Sequence, residues 1–374
     1  MTEIVAIQGM QWGSEAKGSI ALVTALGWQP DAVVAAWHPN AGHTAHMNDK
    51  KYVHSMLPIG ALSPSVKTIL IGPGAVVDLH KLQTELAYAA DHVRGKHVII
   101  HSNAALLQTT DADEEKDLVR IGSTMKGSMI AAIRKMRRGP QATIGQVLLR
   151  HDLITVSGSA YDSAVDNSNK LLVEGAQGYG LGIHTPFYPY CTSRDVSTAQ
   201  LLADCRIPWS DDIRTIGVCR TYPIRVANRY DDKGERIGWS GDTHPFQREL
   251  NWQEDLHREP ELTTVTKLPR RIFDFSLEQV WEAARIMRPS CIALTFCDYL
   301  LSMDDNLCLN GQGRANLPQP VKQLAGSIRT HINVPVRLFS FGPTVRDVWQ
   351  RDFDDSLWPL TRPYLAEEPF NGQS

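Results

Sequence analysis

The sequence predicts an α/β protein, a mainly parallel central sheet with helices on both faces. Short β-rich apolar runs alternate with longer stretches of helical period along most of the chain, the arrangement that strand, crossover helix and parallel strand produce. The chain opens on one such unit: an apolar run at 3–8 ending in Gly9, a turn punctuated by Gly13, and a helical pattern over 17–26. Neither a repeat nor a low-complexity linker interrupts the 374 residues, so they are read as one elaborated domain, 1–374.

Further strands are expected at 31–37, 66–71, 96–100, 171–174, 213–219, 291–296 and 336–341, each a short apolar run. Helices are expected at 79–90, 123–136, 196–204 and 277–287, between several of those strands. Gly, Asp and Pro gather at 231–245 and 306–320, which read as long surface excursions belonging to a site rather than to a hinge. Residues 358–374 carry no clear period.

With 43% hydrophobic and 21% charged residues, the chain can bury a large core without disulfides or metal. Lys plus Arg (38) nearly cancels Asp plus Glu (41), and a formal charge of −3 argues against a whole-surface nucleic-acid or membrane binder. Any phosphate site must therefore be local. Residues 1–10 have no basic and then apolar leader pattern, and Gly and Pro break the longer apolar runs, so neither secretion nor a membrane span is expected. Cys191, Cys205, Cys219, Cys291, Cys297 and Cys308 contain no C-x-x-C pair and read as reduced cytoplasmic thiols.

Three segments could carry chemistry. In the first, Gly9, Gly13, Lys17 and Gly18 sit where the first strand turns into the first helix. Backbone N–H groups, the helix dipole and the Lys17 ammonium can converge there on a phosphate. The spacing is not that of the standard P-loop, and a plain Gly-rich turn is the alternative. The second, 38–46, has His38, His43 and His46 but no carboxylate at metal-ligand spacing, which argues against zinc. A histidine there could act as a general acid or steady an oxyanion; taken alone, the segment reads as a solvated loop. The third runs from Glu174 through Gln177 to Gly178 and on to 188–195. The Gln177 amide can meet a heterocycle edge, while Thr192 and Ser193 can bind phosphate or cap the next helix. Two basic groups, Arg134, Lys135, Arg137 and Arg138, and then Arg270 with Arg271, could clamp anions or simply be solvated.

Taken in order, these segments resemble the adenylosuccinate synthetase family, which joins aspartate to a 6-oxopurine nucleotide using a nucleoside triphosphate. Residues 11–18 (QWGSEAKG) resemble the family's Q-W-G-D-E-G-K-G loop, and 40–44 match its N-A-G-H-T. Residues 174–178 and 188–193 resemble its G-A-Q-G and Y-P-x-x-T-S segments, and 121–124 its 5′-phosphate loop. The matches run from residue 8 to about 342.

The resemblance implies a P-loop NTPase-related fold, a homodimer, Mg²⁺ and a two-step reaction. The triphosphate first phosphorylates the purine 6-oxygen, and the aspartate amine then displaces phosphate. It implies His43 as the acid on the 6-oxygen, Lys17 neutralising phosphate charge and Gln177 holding the base. Asn40, Ser123, Thr124, Thr192 and, across a dimer interface, Arg134 or Arg137 would hold the substrate nucleotide. Gly13, Glu15, Ala16, Lys17, Gly18, Gly42, His43, Thr44, Phe296, Asp298, Ser340 and Gly342 would line the triphosphate. Thr264, Val265, Thr266, Arg270 and Arg271 would take the aspartate, and Ser14 and Gly42 would face Mg²⁺.

Three departures refine this. Ser14 stands where the family has its catalytic Asp. A hydroxyl is a poor base and a weak Mg²⁺ ligand, but it is short and uncharged, and it can accept from a purine 2-amino group. That pattern resembles the phage branch of the family, the 2-aminoadenylosuccinate synthases, which use dGMP on the route to 2-aminoadenine DNA. Phe296 replaces the lysine of the family's T-K-x-D segment, which makes ATP or dATP a plausible donor in place of GTP. Residues 263–271 do not align cleanly with T-T-G-R-x-R-R, so a contact near the sugar 2′ position is expected to be missing. The expected activity is a ligase condensing L-aspartate with dGMP, driven by ATP or dATP, in the cytoplasm (the host's if phage-encoded). Its rivals are an adenylosuccinate synthetase using IMP with GTP and a silent purine-nucleotide-binding protein.

Overall fold

The structure is a computed structural model that describes residues 2–118, 125–147, 152–210, 212–263, 267–301 and 317–350. Ten strands form the main sheet. From one edge to the other they are Val348–Gln350, Val336–Ser340, Cys291–Thr295, Arg214–Arg220, Glu3–Gly9, Lys170–Gly178, Ala32–Ala35, Thr68–Ile71, His97–Ile100 and Ile154–Val156. All neighbours pair in parallel except the edge strand Val348–Gln350, which is antiparallel to Val336–Ser340. Every strand expected from the sequence lies in this sheet, and the run at 171–174 continues to Gly178. The central strands are buried along nearly their whole length, which is why their sequences read as continuous apolar runs.

Helices at Lys17–Trp28, Leu79–Tyr88, Thr198–Asp204 and Leu277–Met287 match expectation closely. Asp78, Ser197 and Ser276 cap the last three by accepting an N–H with their side chains. The helix expected from residue 123 starts at Ser128, behind Gly127 in left-handed conformation. Helices Asp111–Leu118 and Gly158–Asp166 were not foreseen, because the first is almost wholly charged and the second mixes Gly, Ser and Asp with few apolar positions. Gln319–Ile332 was also missed, since Pro318 at its N-cap and Pro320 in its first turn read as the end of a loop.

The segment at 38–46 needs correction. Past residue 42 it is not a solvated loop but a strand, His43–Met47, paired antiparallel with Lys50–His54. This hairpin packs against the start of the first helix. A Cβ on Gly18 would lie 2.5 Å from the Thr44 carbonyl oxygen, so only glycine lets the helix approach so closely. Gly18→Ala is expected to destabilise the fold by about 1–3 kcal/mol, because backbone on both sides must separate. An unchanged denaturation midpoint would show that the hairpin yields freely. Among the described residues, five cysteines are free, and no helix is long and apolar enough to cross a membrane.

Candidate active site

Parallel pairing sets the position of the site. Gly9 is level with Gly178 on one side and Val218 on the other, and Arg220 is level with Thr295, so four neighbouring strands end together. The loops leaving these carboxyl ends enclose a cavity of about 1200 Å³, the usual ligand position in an open parallel sheet.

The first loop is pinned from within. Glu15, fully buried, accepts the Gln11 and Gly13 N–H groups at 3.0 and 2.9 Å on Oε1, and the Lys17 ammonium at 2.6 Å on Oε2. Gly9 and Gly178 leave room for its carboxylate, since a Cβ on either would lie 2.3 Å from one of its oxygens. Glu15 is thus committed to the loop itself rather than turned toward a triphosphate. Gly13, Ser14 and Ala16 are left-handed (φ 89°, 57° and 59°), which folds the loop tightly before the helix begins at Lys17. Thr295 ties the loop to the sheet by donating its hydroxyl to the Glu15 carbonyl at 3.0 Å.

His43 stands at the first residue of the hairpin. Its ring stacks on Trp37, with centroids 3.6 Å apart and planes 3° from parallel. The buried Nε2 has no partner among the described residues, although the residue lines the cavity. Burial foremost, then the charges of Lys17, His54 and Arg194, holds its pKa well below the usual histidine value, so the ring is neutral. Beside it, Gln177 (φ 55°) donates to Asn40 Oδ1 at 3.4 Å and accepts from Arg194 at 3.4 Å. Arg194 is in turn fixed on the Ala36 carbonyl at 2.7 Å.

Across the hairpin from His43 lies His54, whose pKa burial lowers from 6.5 to about 4. As pH falls from about 6.5 toward about 4, the unfolded chain takes up a proton there and the folded chain does not, so stability is lost through that window. Over these 2.5 units the loss is about 3 kcal/mol, and His54→Gln is expected to flatten the fall in Tm on acidification. A parallel pH profile in the variant would assign the acid loss to other groups.

The Ser14 hydroxyl, at the lip of the cavity, accepts from Arg270 Nη1 at 2.9 Å. Its carbonyl accepts from Arg220 Nη1 at 3.1 Å. Arg220 lies over the Phe296 ring at 3.7 Å, and Tyr299 meets the same ring edge-on, so one face of Phe296 is already covered. Asp298 is held by Arg258 at 3.4 Å, yet burial raises its pKa to about 6. Pro343, next to Gly342, contacts the hairpin through its carbonyl, 3.2 Å from His46 Nδ1.

Of the residues singled out in the sequence, Gly13, Ser14, Glu15, Ala16, Lys17 and Gly18 line this cavity, as do Asn40, Gly42, His43 and Thr44. So do Gln177, Thr192, Arg270, Phe296, Asp298, Ser340 and Gly342. Ser123, Thr124, Thr264, Val265 and Thr266 lie outside the described residues. Two arginines are placed otherwise than expected. Arg134 is turned back onto its own chain, bonded to Asp111 and the Leu106 carbonyl, while Arg137 at the end of that helix is exposed. Arg271 is clamped by both oxygens of Glu249, with Ser240 and the Gly241 carbonyl, and leaves the site to Arg270.

Sequence reasoning missed Lys81, Lys126, Arg225, Arg258 and Glu261, all at the cavity, and Arg220, fully buried behind it against the Ser14 carbonyl. Arg220 ends a central strand and Arg225 closely follows it, a position that could have singled them out. Arg225 is held among the Ser240, Asp242 and Tyr190 carbonyls and lies over Trp12. Burial, reinforced by Arg271, lowers its pKa to about 9.

A sequence model of the adenylosuccinate synthetase family matches residues 6–155 and 144–310. The chain is 40% identical over 356 residues to the N6-succino-2-amino-2′-deoxyadenylate synthase of Salmonella phage PMBT28, covering 90% of this chain and 95% of that protein. It is 29% identical over 352 residues to the adenylosuccinate synthetase of Pyrococcus sp. (strain ST700), covering 92% and 97%. Its structure superimposes with a TM-score of 0.82, at 35% identity, on the cyanophage S-2L succinoaminodeoxyadenylate synthetase bound to dGMP and dATP as an energy donor. That match covers 94% of this chain and 95% of the other.

Proposed function

Because this chain belongs to the adenylosuccinate synthetase family, we propose that it condenses L-aspartate with dGMP, driven by dATP or ATP, to N6-succino-2-amino-2′-deoxyadenylate. The observation that carries this reading is Ser14. A small neutral hydroxyl stands at the cavity lip where the family loop has a carboxylate, and it keeps a free lone pair after accepting from Arg270. A guanine 2-amino group can donate to that lone pair, whereas hypoxanthine offers nothing there.

In the first step the guanine N1 proton is lost to solvent or a phosphate oxygen, the 6-oxygen attacks the γ-phosphorus and the nucleoside diphosphate leaves. In the second the aspartate amine adds at C6 and inorganic phosphate leaves. Lys17, at the mouth of the helix, supplies positive charge to the transferring phosphoryl, and His43 Nε2 is the group left free to meet the 6-oxygen. Gln177, steadied by Arg194 and Asn40, borders the base, and Arg270 is the cation for an aspartate carboxylate.

Mg²⁺ would neutralise phosphate charge. The backbone oxygen of Gly42, an exposed residue at the cavity, fits as one ligand beside the triphosphate oxygens. Ser14 does not fit, since its oxygen already faces a guanidinium cation. In a homodimer, Arg137 is the remaining candidate to reach a neighbour's nucleotide. Phosphate release from a panel of dGMP, GMP, dIMP and IMP against dATP, ATP and GTP tests the reading. Turnover of dGMP with an adenine triphosphate supports it, and faster turnover of IMP with GTP refutes it.

A further inference from the structure

We infer that Glu261 is a positioning residue for substrate choice, aiming the Ser14 hydroxyl at the purine 2-amino group through two arginines that end on the same serine. This deepens the proposed reaction and rests on dGMP being its substrate.

The contacts form a closed set. The Glu261 carboxylate accepts from Arg220 through both guanidinium ends, Nη1 to Oε2 at 3.3 Å and Nη2 to Oε1. The Tyr299 hydroxyl donates to it at 2.9 Å. Arg220, fully buried, then reaches the Ser14 carbonyl at 3.1 Å. On the other side, Arg270 donates its backbone N–H to the Glu261 carbonyl at 2.8 Å, and its Nη1 donates to Ser14 Oγ at 2.9 Å. The carboxylate thus binds the Arg220 guanidinium directly and acts on the Arg270 guanidinium only through its charge, and both cations bind Ser14, one at the backbone and one at the side chain.

The consequence follows from hydroxyl chemistry. A serine hydroxyl has one donor and two acceptor sites and turns freely about Cβ–Oγ. Arg270 claims one acceptor site, which leaves one lone pair and the O–H with restricted directions. A hydroxyl so restricted distinguishes a base that offers an N–H from one that offers C–H. A rotating hydroxyl binds water equally well and discriminates less. Without the Glu261 charge, Arg220 and Arg270 repel each other beside Ser14 and the restriction is lost. Ser14 in left-handed backbone adds to the need for it, because that conformation depends on the contacts around it.

The test compares kcat/KM for dGMP and dIMP, with dATP and aspartate, in the wild type, Glu261→Gln, Ser14→Ala and the double variant. Glu261→Gln is expected to lower the dGMP/dIMP ratio by about 10-fold. In the Ser14→Ala background the same change is expected to leave the ratio where it is. A loss of turnover shared equally by both nucleotides, with the ratio intact, overturns the inference, since that is what a merely structural residue would give. A ratio that falls as far without the Ser14 hydroxyl overturns it too. If Glu261→Gln does not fold, Tyr299→Phe, which takes one hydrogen bond from the carboxylate, is expected to move the ratio the same way by a smaller factor. An unmoved ratio there is equally decisive against it. A wild type that turns over dIMP as well as dGMP removes the substrate reading itself, so the two failures are distinguishable.

Discussion

His43→Ala is expected to lower kcat by about 10²–10⁴-fold while nucleotide affinity changes only modestly. The imidazole is fixed on Trp37 and its Nε2 has no partner among the described residues, which hold a polar group in place without using it. Burial and the neighbouring Lys17 charge keep the ring neutral. Triphosphate oxygens against Lys17 reverse that local field, which favours the charged ring at the moment when negative charge develops on the purine 6-oxygen. Single-turnover phosphate release separates chemistry from binding. An unchanged rate would remove His43 from the reaction.

Ser14→Asp is expected to lower the dGMP/dIMP ratio of kcat/KM by about 10–100-fold, by slowing dGMP and sparing or improving the 2-unsubstituted base. Backbone strain does not confuse this experiment, since aspartate tolerates the left-handed conformation better than most residues. The longer carboxylate both fills the space beside C2 and pairs with Arg270, which now rests on a neutral hydroxyl. A variant that retains the parent's preference for dGMP would show that the room beside C2 is set elsewhere.

Much of the fold was legible because buried parallel strands announce themselves as apolar runs. Cys291–Thr295 and Val336–Ser340 were found to within a residue on that signal alone. The hairpin after Gly42 was not, because His, Thr and Lys in its strands hide the alternation. Gln11 to Gly18 could be read as a phosphate loop from its glycines and lysine, but the inward turn of Glu15 could not. A carboxylate beside a lysine reads as a surface pair until the glycines that accommodate it, Gly9 and Gly178, are seen to face it. Arg270 and Arg271 were indistinguishable as neighbours in sequence. Alternation along an extended segment sends one to Ser14 and the other to Glu249.

By itself the sequence determined the sheet-forming runs, the glycines of the loop before the first helix and the identity of the residue at position 14, since each depends on local composition and motif. Only the tertiary structure decided which charges meet. Arg220 and Tyr299 come together because Arg214–Arg220 and Cys291–Thr295, far apart in the chain, end side by side at the carboxyl end of the sheet, and Glu261 joins them from a loop. Electrostatic interaction depends on distance in space and on burial, neither of which is written in the order of residues.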